Sequence, residues 1–540
     1  MPEYLSPGVY VEEVDRGPKP IEGVGTAMAA FVGFTEKAEL TRKVNGETIV
    51  ENLLNRPQLI TNWTQYVERF GDFVSGAYLP QSVYGYFLNG GSRCYVVSLR
   101  TFPKAEATLI NAQGKPALLV KARQAGTDAI KMRVRIDDVP QQPASGGKKE
   151  AKEGEDAAAP AGAQSGSFTL NVERMGSEGG WLPLETLKDV RLQPAKDGVQ
   201  VAYKNNVLPK FVVLEALGKN AAEVMPRAQE QALVIDKKLL QATSSSEFQG
   251  EVEKRTGVAG LEVLDNVTIL CVPDLMNTMP GEKLNLDTVK GVQTAMIAHC
   301  EAMGDRVAIL DCPPDLTPQE AKTWRMDVAG YDSSYAAMYY PWIEVMDPIT
   351  NRPVAIPPSG HMAGLWARTD NTRGVHKAPA NEVIQGAVGL SYQITKGEQD
   401  TLNPLGVNCI RSFPGRGIRV WGARSLSSNP SWRYLNVRRL FNYVEKSIQI
   451  GTQWVVFEPN DRRLWARVRR DVSAFLKTVW RDGALFGSTP EEAFYVKCDD
   501  ELNPAESRDL GRLVIEIGMA PVKPAEFVIF RISQWAGTEE

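Results

Sequence analysis

The sequence predicts an α/β body, interrupted by a β-rich insertion and flanked by extended strand arms, and three observations carry that prediction. Near-continuous apolar runs alternate with helical periodicity over residues 26–99 and again over 266–340. Between them, short β-patterned segments separated by turn residues fill about 101–250. Strand-like segments also stand at the two ends, Tyr4 to Val14 and Glu526 to Trp535, punctuated on their inner sides by Pro18, Pro20, Gly23 and Gly25 and by Pro521 and Pro524.

Taken in order, residues 1–20 form an arm and 21–100 the first part of the body. Residues 26–34 predict a buried strand, Leu59 to Phe70 an amphipathic helix begun near Pro57, Gln81 to Leu88 a second helix and Cys94 to Leu99 a strand. The inserted module, 101–250, carries β patterning at Ala117 to Val120, Ile130 to Ile136, Ser167 to Val172 and Val207 to Leu214. Its segment 140–166 is Ala, Gly, Pro, Lys and Glu with almost no apolar bulk, so a solvated, protease-sensitive loop is expected there. The body resumes over 251–400, with strands at Asn266 to Asp274, Arg306 to Asp311 and Tyr335 to Tyr340. Helices are predicted at Asp287 to Met303, at Thr317 to Arg325 and after Ser359. Residues 401–520 predict a hairpin, Val407 to Arg411 with Ile418 to Trp421, turned at Gly415-Arg416-Gly417, then long helices at Leu435 to Ile450 and Arg462 to Trp480. Residues 521–540 form the second arm.

Composition narrows the function. The 540 residues carry a formal net charge of −4, which argues against nucleic acid as the main partner. No leader-like segment opens the chain and no apolar run approaches the roughly 18 residues needed to span a bilayer, so cytoplasmic production without membrane insertion is expected. Cys94, Cys271, Cys300, Cys312, Cys409 and Cys498 show no CxxC spacing and predict buried, reduced thiols. An enzyme reading rests on Asp274, Asp311 and Asp315 at strand ends, where open α/β sheets place ligands, and its sharpest form is a hydrolase with Asp274 and Asp311 as a metal-binding pair. The bland alternative is turn and helix-capping chemistry, as around Cys312-Pro313-Pro314-Asp315-Leu316-Thr317. His299, His361 and His376 have no metal-ligand spacing, and no phosphate loop or GxSxG elbow occurs. No cofactor is implied.

An isolated strand has unsatisfied ladder groups, so each arm needs a sheet edge to join, and a neighbouring copy can supply one. The expected pairing residues are Tyr10, Val11 and Val14 at one end and Phe527, Ile529, Phe530 and Ile532 at the other. A second surface is the helix after Asp461, where Leu464, Val468, Val472, Phe475, Leu476 and Val479 make an apolar stripe and Arg463, Arg467, Arg470, Lys477 and Arg481 fall largely opposite it. That basic face is either a solvated surface or a docking face.

Tyr4 to Val14, Gly25 to Phe34, Phe87 to Val97, Asn403 to Asn408, Trp421 to Ser425, Tyr434 to Arg439 and Phe457 to Asn460 together resemble, in that order, the tail sheath proteins of contractile phages and injection systems. The resemblance implies a sheath-like core of helices around a mixed sheet, an outward-facing insertion, a C-terminal sheath domain and no catalysis. It also implies a helical self-polymer of stacked hexameric rings around an inner tube, with baseplate and cap or terminator proteins as further partners. Contraction would drive the tube through a target envelope on stored lattice energy, with hinges near Gly17 to Pro20 and Pro521 to Pro524. The basic helix would contact the tube. A static shell protein is the other structural alternative.

Overall fold

The computed structural model describes residues 20–44, 47–102, 104–127, 131–139, 167–176, 179–195, 198–235, 243–278 and 282–531. Tyr10, Val11, Val14, Ile532 and the segment 140–166 lie outside these residues.

The body is built on one eight-stranded sheet in the order Gly417–Val420, Val407–Phe413, Ala336–Tyr340, Val307–Asp311, Ile269–Cys271, Ala29–Thr35, Cys94–Thr101 and Gln58–Ile60. The six central strands run parallel, and the outermost strand at each edge is antiparallel. Parallel strands are covered on both faces, and these alternate between two cores. Ala30, Val32, Leu270, Ala308, Leu310 and Met338 face one core, against the helix Leu286–Met303. Ala29, Phe31, Ile269, Cys271, Val307, Ile309 and Tyr339 face the other, against the helices Leu79–Leu88 and Ser359–Arg373. Those two helices approach so closely that a Cβ on Gly364 would overlap the Tyr86 carbonyl, and one on Gly360 the Ser82 backbone.

Residues 105–235 have a separate core. Five strands, Gly198–Ala202, Trp181–Ala195, Ser167–Met175, Met132–Asp137 and Gln229–Ala232, form one sheet, and Val212–Ala216, Pro116–Ala122 and Glu106–Ile110 a second. The chain then closes with the helices Leu435–Gly451 and Arg462–Arg481 and a two-stranded sheet, Phe494–Lys497 with Glu516–Met519, around a further core. No described helix is long and apolar enough to cross a membrane.

Several elements differ from the sequence expectation. The helix expected over 59–70 is Trp63–Phe70, because Asn62 caps it by accepting the Gln65 N–H, while Gln58–Ile60 becomes the sheet edge. Thr317 to Arg325 is a capped helix, Pro318–Thr323, continued as a π-helix, Trp324–Ala329, whose buried Arg325 donates to the carbonyls of Leu405 and Leu426. The strand expected over 207–214 is shifted to Val212–Ala216. The hairpin Glu39–Val44 with Glu47–Asn52 and the small sheet of Pro353–Ile356, Ile343–Met346 and Ala387–Leu390 were not foreseen. The described part of the C-terminal arm, 522–531, has no ladder partner among the described residues.

Gly364→Ala is expected to lower unfolding stability by about 1–3 kcal/mol through overpacking of the helix pair. Denaturant unfolding followed by tryptophan fluorescence checks this; an unchanged midpoint would show that the helices separate freely.

Candidate functional site

The two strand-end carboxylates serve the backbone. Asp274 is buried and takes three main-chain N–H donors: its Oδ1 accepts from Tyr78 at 2.5 Å, and its Oδ2 from Phe34 at 2.6 Å and Leu79 at 3.2 Å. It thereby caps the helix Leu79–Leu88 and ties that helix to the strand beside it. Asp311 does the same for the helix Ser359–Arg373, accepting the Ser359 N–H at 2.9 Å. Burial pushes both carboxyls up to about 7, against the pull of these donors. Asp315 is exposed in a left-handed turn, and Thr317 after it forms a reciprocal cap with Glu320. Asp274 and Asp311 are thus engaged by main-chain donors, and among the described residues no three His, Cys, Asp or Glu side chains converge as a metal site. His299 sits 3.2 Å from the Arg306 guanidinium, and His361 is buried against Gly85 with its pKa lowered to about 4. All six cysteines are buried and unpaired, their thiols raised by desolvation.

The groups that remain free for partners lie on the outside. On the helix Arg462–Arg481, Leu464, Val468, Val472, Phe475, Leu476 and Val479 are buried, whereas Arg463, Arg467, Arg470, Lys477 and Arg481 are exposed. Their spacing of four, three, seven and four residues keeps all five within one face, a row about 27 Å long at 1.5 Å per residue. Arg470 pairs with its neighbour Asp471, and Arg467 lies 4.3 Å over the Trp454 ring. Arg463, Lys477 and Arg481 have no acidic partner among the described residues.

The C-terminal arm is anchored further out than its prolines indicated. Pro521 bridges to Leu485, the Val522 N–H donates to Ala484, and Glu526 is clamped by Arg424 at 2.6 and 2.9 Å, by Asn403 at 2.8 Å and by Tyr434 at 3.3 Å. The segment Pro521 to Pro524, expected to act as a hinge, is thus flanked by contacts with the body on both sides, and the freely exposed run begins at Phe527: Phe527, Val528, Ile529 and Phe530 are each more than two-thirds exposed. Sequence reasoning missed the roles of Glu526, Arg424 and Asn403, although all three fall inside the segments singled out above. Nearby, the strands Phe494–Lys497 and Glu516–Met519 pair only with each other among the described residues, leaving outer edges open. Tyr495 lies across from Gly518 in that sheet, its ring filling the space a Cβ would take.

A chain that commits Asp274 and Asp311 to capping its own helices, and keeps apolar and cationic groups outside, offers those outer groups to partners. Residues 272–426 match the central domain of the phage tail sheath protein, and 427–534 its C-terminal domain. A prophage major tail sheath protein of Pseudomonas aeruginosa (strain UCBPP-PA14) is 29% identical over 330 residues, covering 60% of this chain and 78% of that one. The tail sheath protein of Vibrio phage KVP40 is 27% identical over 207 residues, which span 38% of this chain and 30% of its own length. The fold also matches the sheath complex of an extracellular contractile injection system in the contracted state, with a TM-score of 0.55, 23% identity and 99% of each chain covered. These matches place residues 272–534 in the contractile tail sheath family, whose proteins are structural.

Two measurements follow from the buried carboxylates. Their folded pKa values, about 7, exceed the usual 3.8, so the folded chain binds more protons than the unfolded one between those limits. Their contribution to stability is present in full below about 4 and falls as pH rises to about 7; Asp311→Asn should flatten that part of the thermal midpoint against pH, and an unaltered slope would count against the assignment. Asp274→Asn, by contrast, must turn an NH₂ group toward a backbone N–H in either orientation, and is expected to cost about 1–3 kcal/mol at every pH. Calorimetric melting of the variant checks it.

Proposed function

We propose that this chain polymerises helically around an inner tube, as stacked hexameric rings, and converts to a shorter, wider lattice that drives the tube through a target envelope. The observation that carries the reading is the presence on one C-terminal unit of both an exposed apolar arm, rooted at Glu526, and a two-stranded sheet with no further partner strand among the described residues. Such an arm and edge can satisfy each other between copies, giving a head-to-tail contact that propagates. A tether of this kind lets rigid bodies slide without dissociating. Tyr10, Val11 and Val14 would supply the matching N-terminal strand, and the insertion would face outward. Subunits are made in the cytoplasm and meet baseplate and cap proteins at the two ends. No cofactor and no catalytic step enter this mechanism.

The five-cation row is proposed as the tube contact, against an acidic tube surface. Charge complementarity of this type weakens with salt, the screening length shrinking from about 10 Å at 0.1 M to about 3 Å at 1 M.

Electron microscopy of the protein with the tube protein encoded beside it tests the whole reading. Hollow cylinders of two diameters and pitches are expected, whereas one invariant lattice would favour a static shell. A chain ending after Glu526 keeps its anchor and should fold yet fail to polymerise; normal cylinders from it would remove the arm from the mechanism. Reversing Arg463, Arg470 and Lys477 to Glu should weaken tube co-sedimentation about tenfold or more at low salt, with the deficit shrinking as salt rises.

A further inference from the structure

Phe457 is the most exposed large hydrophobic side chain among the described residues, at 102% of its reference area, ahead of Phe530 on the arm. Its backbone has φ of +68°, the left-handed region that a bulky residue rarely adopts. Folding therefore gains nothing from this ring and pays for its conformation. The loop that carries it is nonetheless braced. The Glu458 N–H donates to Val455 at 3.1 Å and the Asp461 N–H to Pro459 at 3.0 Å, while Asn460 accepts from the Trp465 indole at 2.7 Å and donates to Arg512 at 2.8 Å. On the other side Trp454 lies under Arg467, the second cation of the basic row, so the loop folds back along that row. Val456 beside it is also exposed.

We infer that Phe457 is an apolar anchor that seats in a socket on the same acidic partner that neutralises the basic row, the inner tube. The inference rests on the proposed tube contact. Charges along the row would steer and register the two surfaces, and the ring, held in place before contact, would supply affinity that salt does not screen. A second copy of this chain is the competing occupant; the contact of Trp454 with Arg467 favours the partner of the cationic row.

The test is co-sedimentation of the full chain with the tube protein at 0.1 M and about 1 M salt, alongside polymerisation of the chain alone. Phe457→Asn suits the left-handed backbone, so its thermal midpoint should stay or rise; Phe457→Trp keeps an aromatic anchor and should retain binding. Phe457→Asn is expected to weaken tube binding about tenfold or more at both salt concentrations, without altering polymerisation of the chain alone. If the triple Glu variant of the row loses tube binding and Phe457→Asn does not, the anchor is overturned and the tube contact stands. If neither variant changes binding, the tube contact itself fails. Loss of polymerisation without the tube would put the socket on a second copy and overturn the assignment.

Discussion

The pairing of Ala29–Thr35 with Ile269–Cys271 is the contact on which the rest of the molecule depends. It joins residues 240 positions apart into one parallel sheet, and the long insertion lies between them. Asp274, immediately after the second strand, reinforces the join by holding Phe34 of the first strand and the start of the helix Leu79–Leu88. Thr268 does so from the other end, bonding the backbone of Thr26 and Met28. Because loop-closure entropy grows slowly with length, an insertion of this size costs the sheet little once it has its own core.

The C-terminal unit is oriented on this body by buried charge. Arg439 makes a bidentate pair with Asp370, both almost fully buried, and Lys446 pairs with Asp305. The Arg438 guanidinium lies 4.2 Å from the Trp432 ring and 4.7 Å from that of Tyr335. Buried ion pairs are weak sources of net stability, but each tolerates only one geometry. They set the angle at which the basic helix and the open edge are presented.

The parallel strands were legible because strands covered on both faces are apolar throughout, as Val307–Asp311 and Ala336–Tyr340 are. Edges were not: Leu59, Ile60, Trp63, Tyr66 and Val67 have helical spacing, which hid the three-residue edge strand before Asn62. The hairpin Glu39–Val44 with Glu47–Asn52 carries charges at five of its twelve positions and offered no clear alternation. The basic face was readable from periodicity alone, since five turns of helix repeat the pattern. The root of the arm was not, because Glu526 meets Arg424 across 102 positions and no spacing rule exposes such a pair. The exposure of Phe457 likewise follows from a loop conformation that its neighbours enforce, so its motif could be quoted without its orientation being known.

The six thiols have a consequence outside folding. Sulfur reacts with oxidants and disulfides as thiolate, and here every cysteine is both enclosed and held protonated. Oxidants and disulfides therefore reach these sulfurs only where the fold opens, so the native subunit resists cross-linking through its own cysteines.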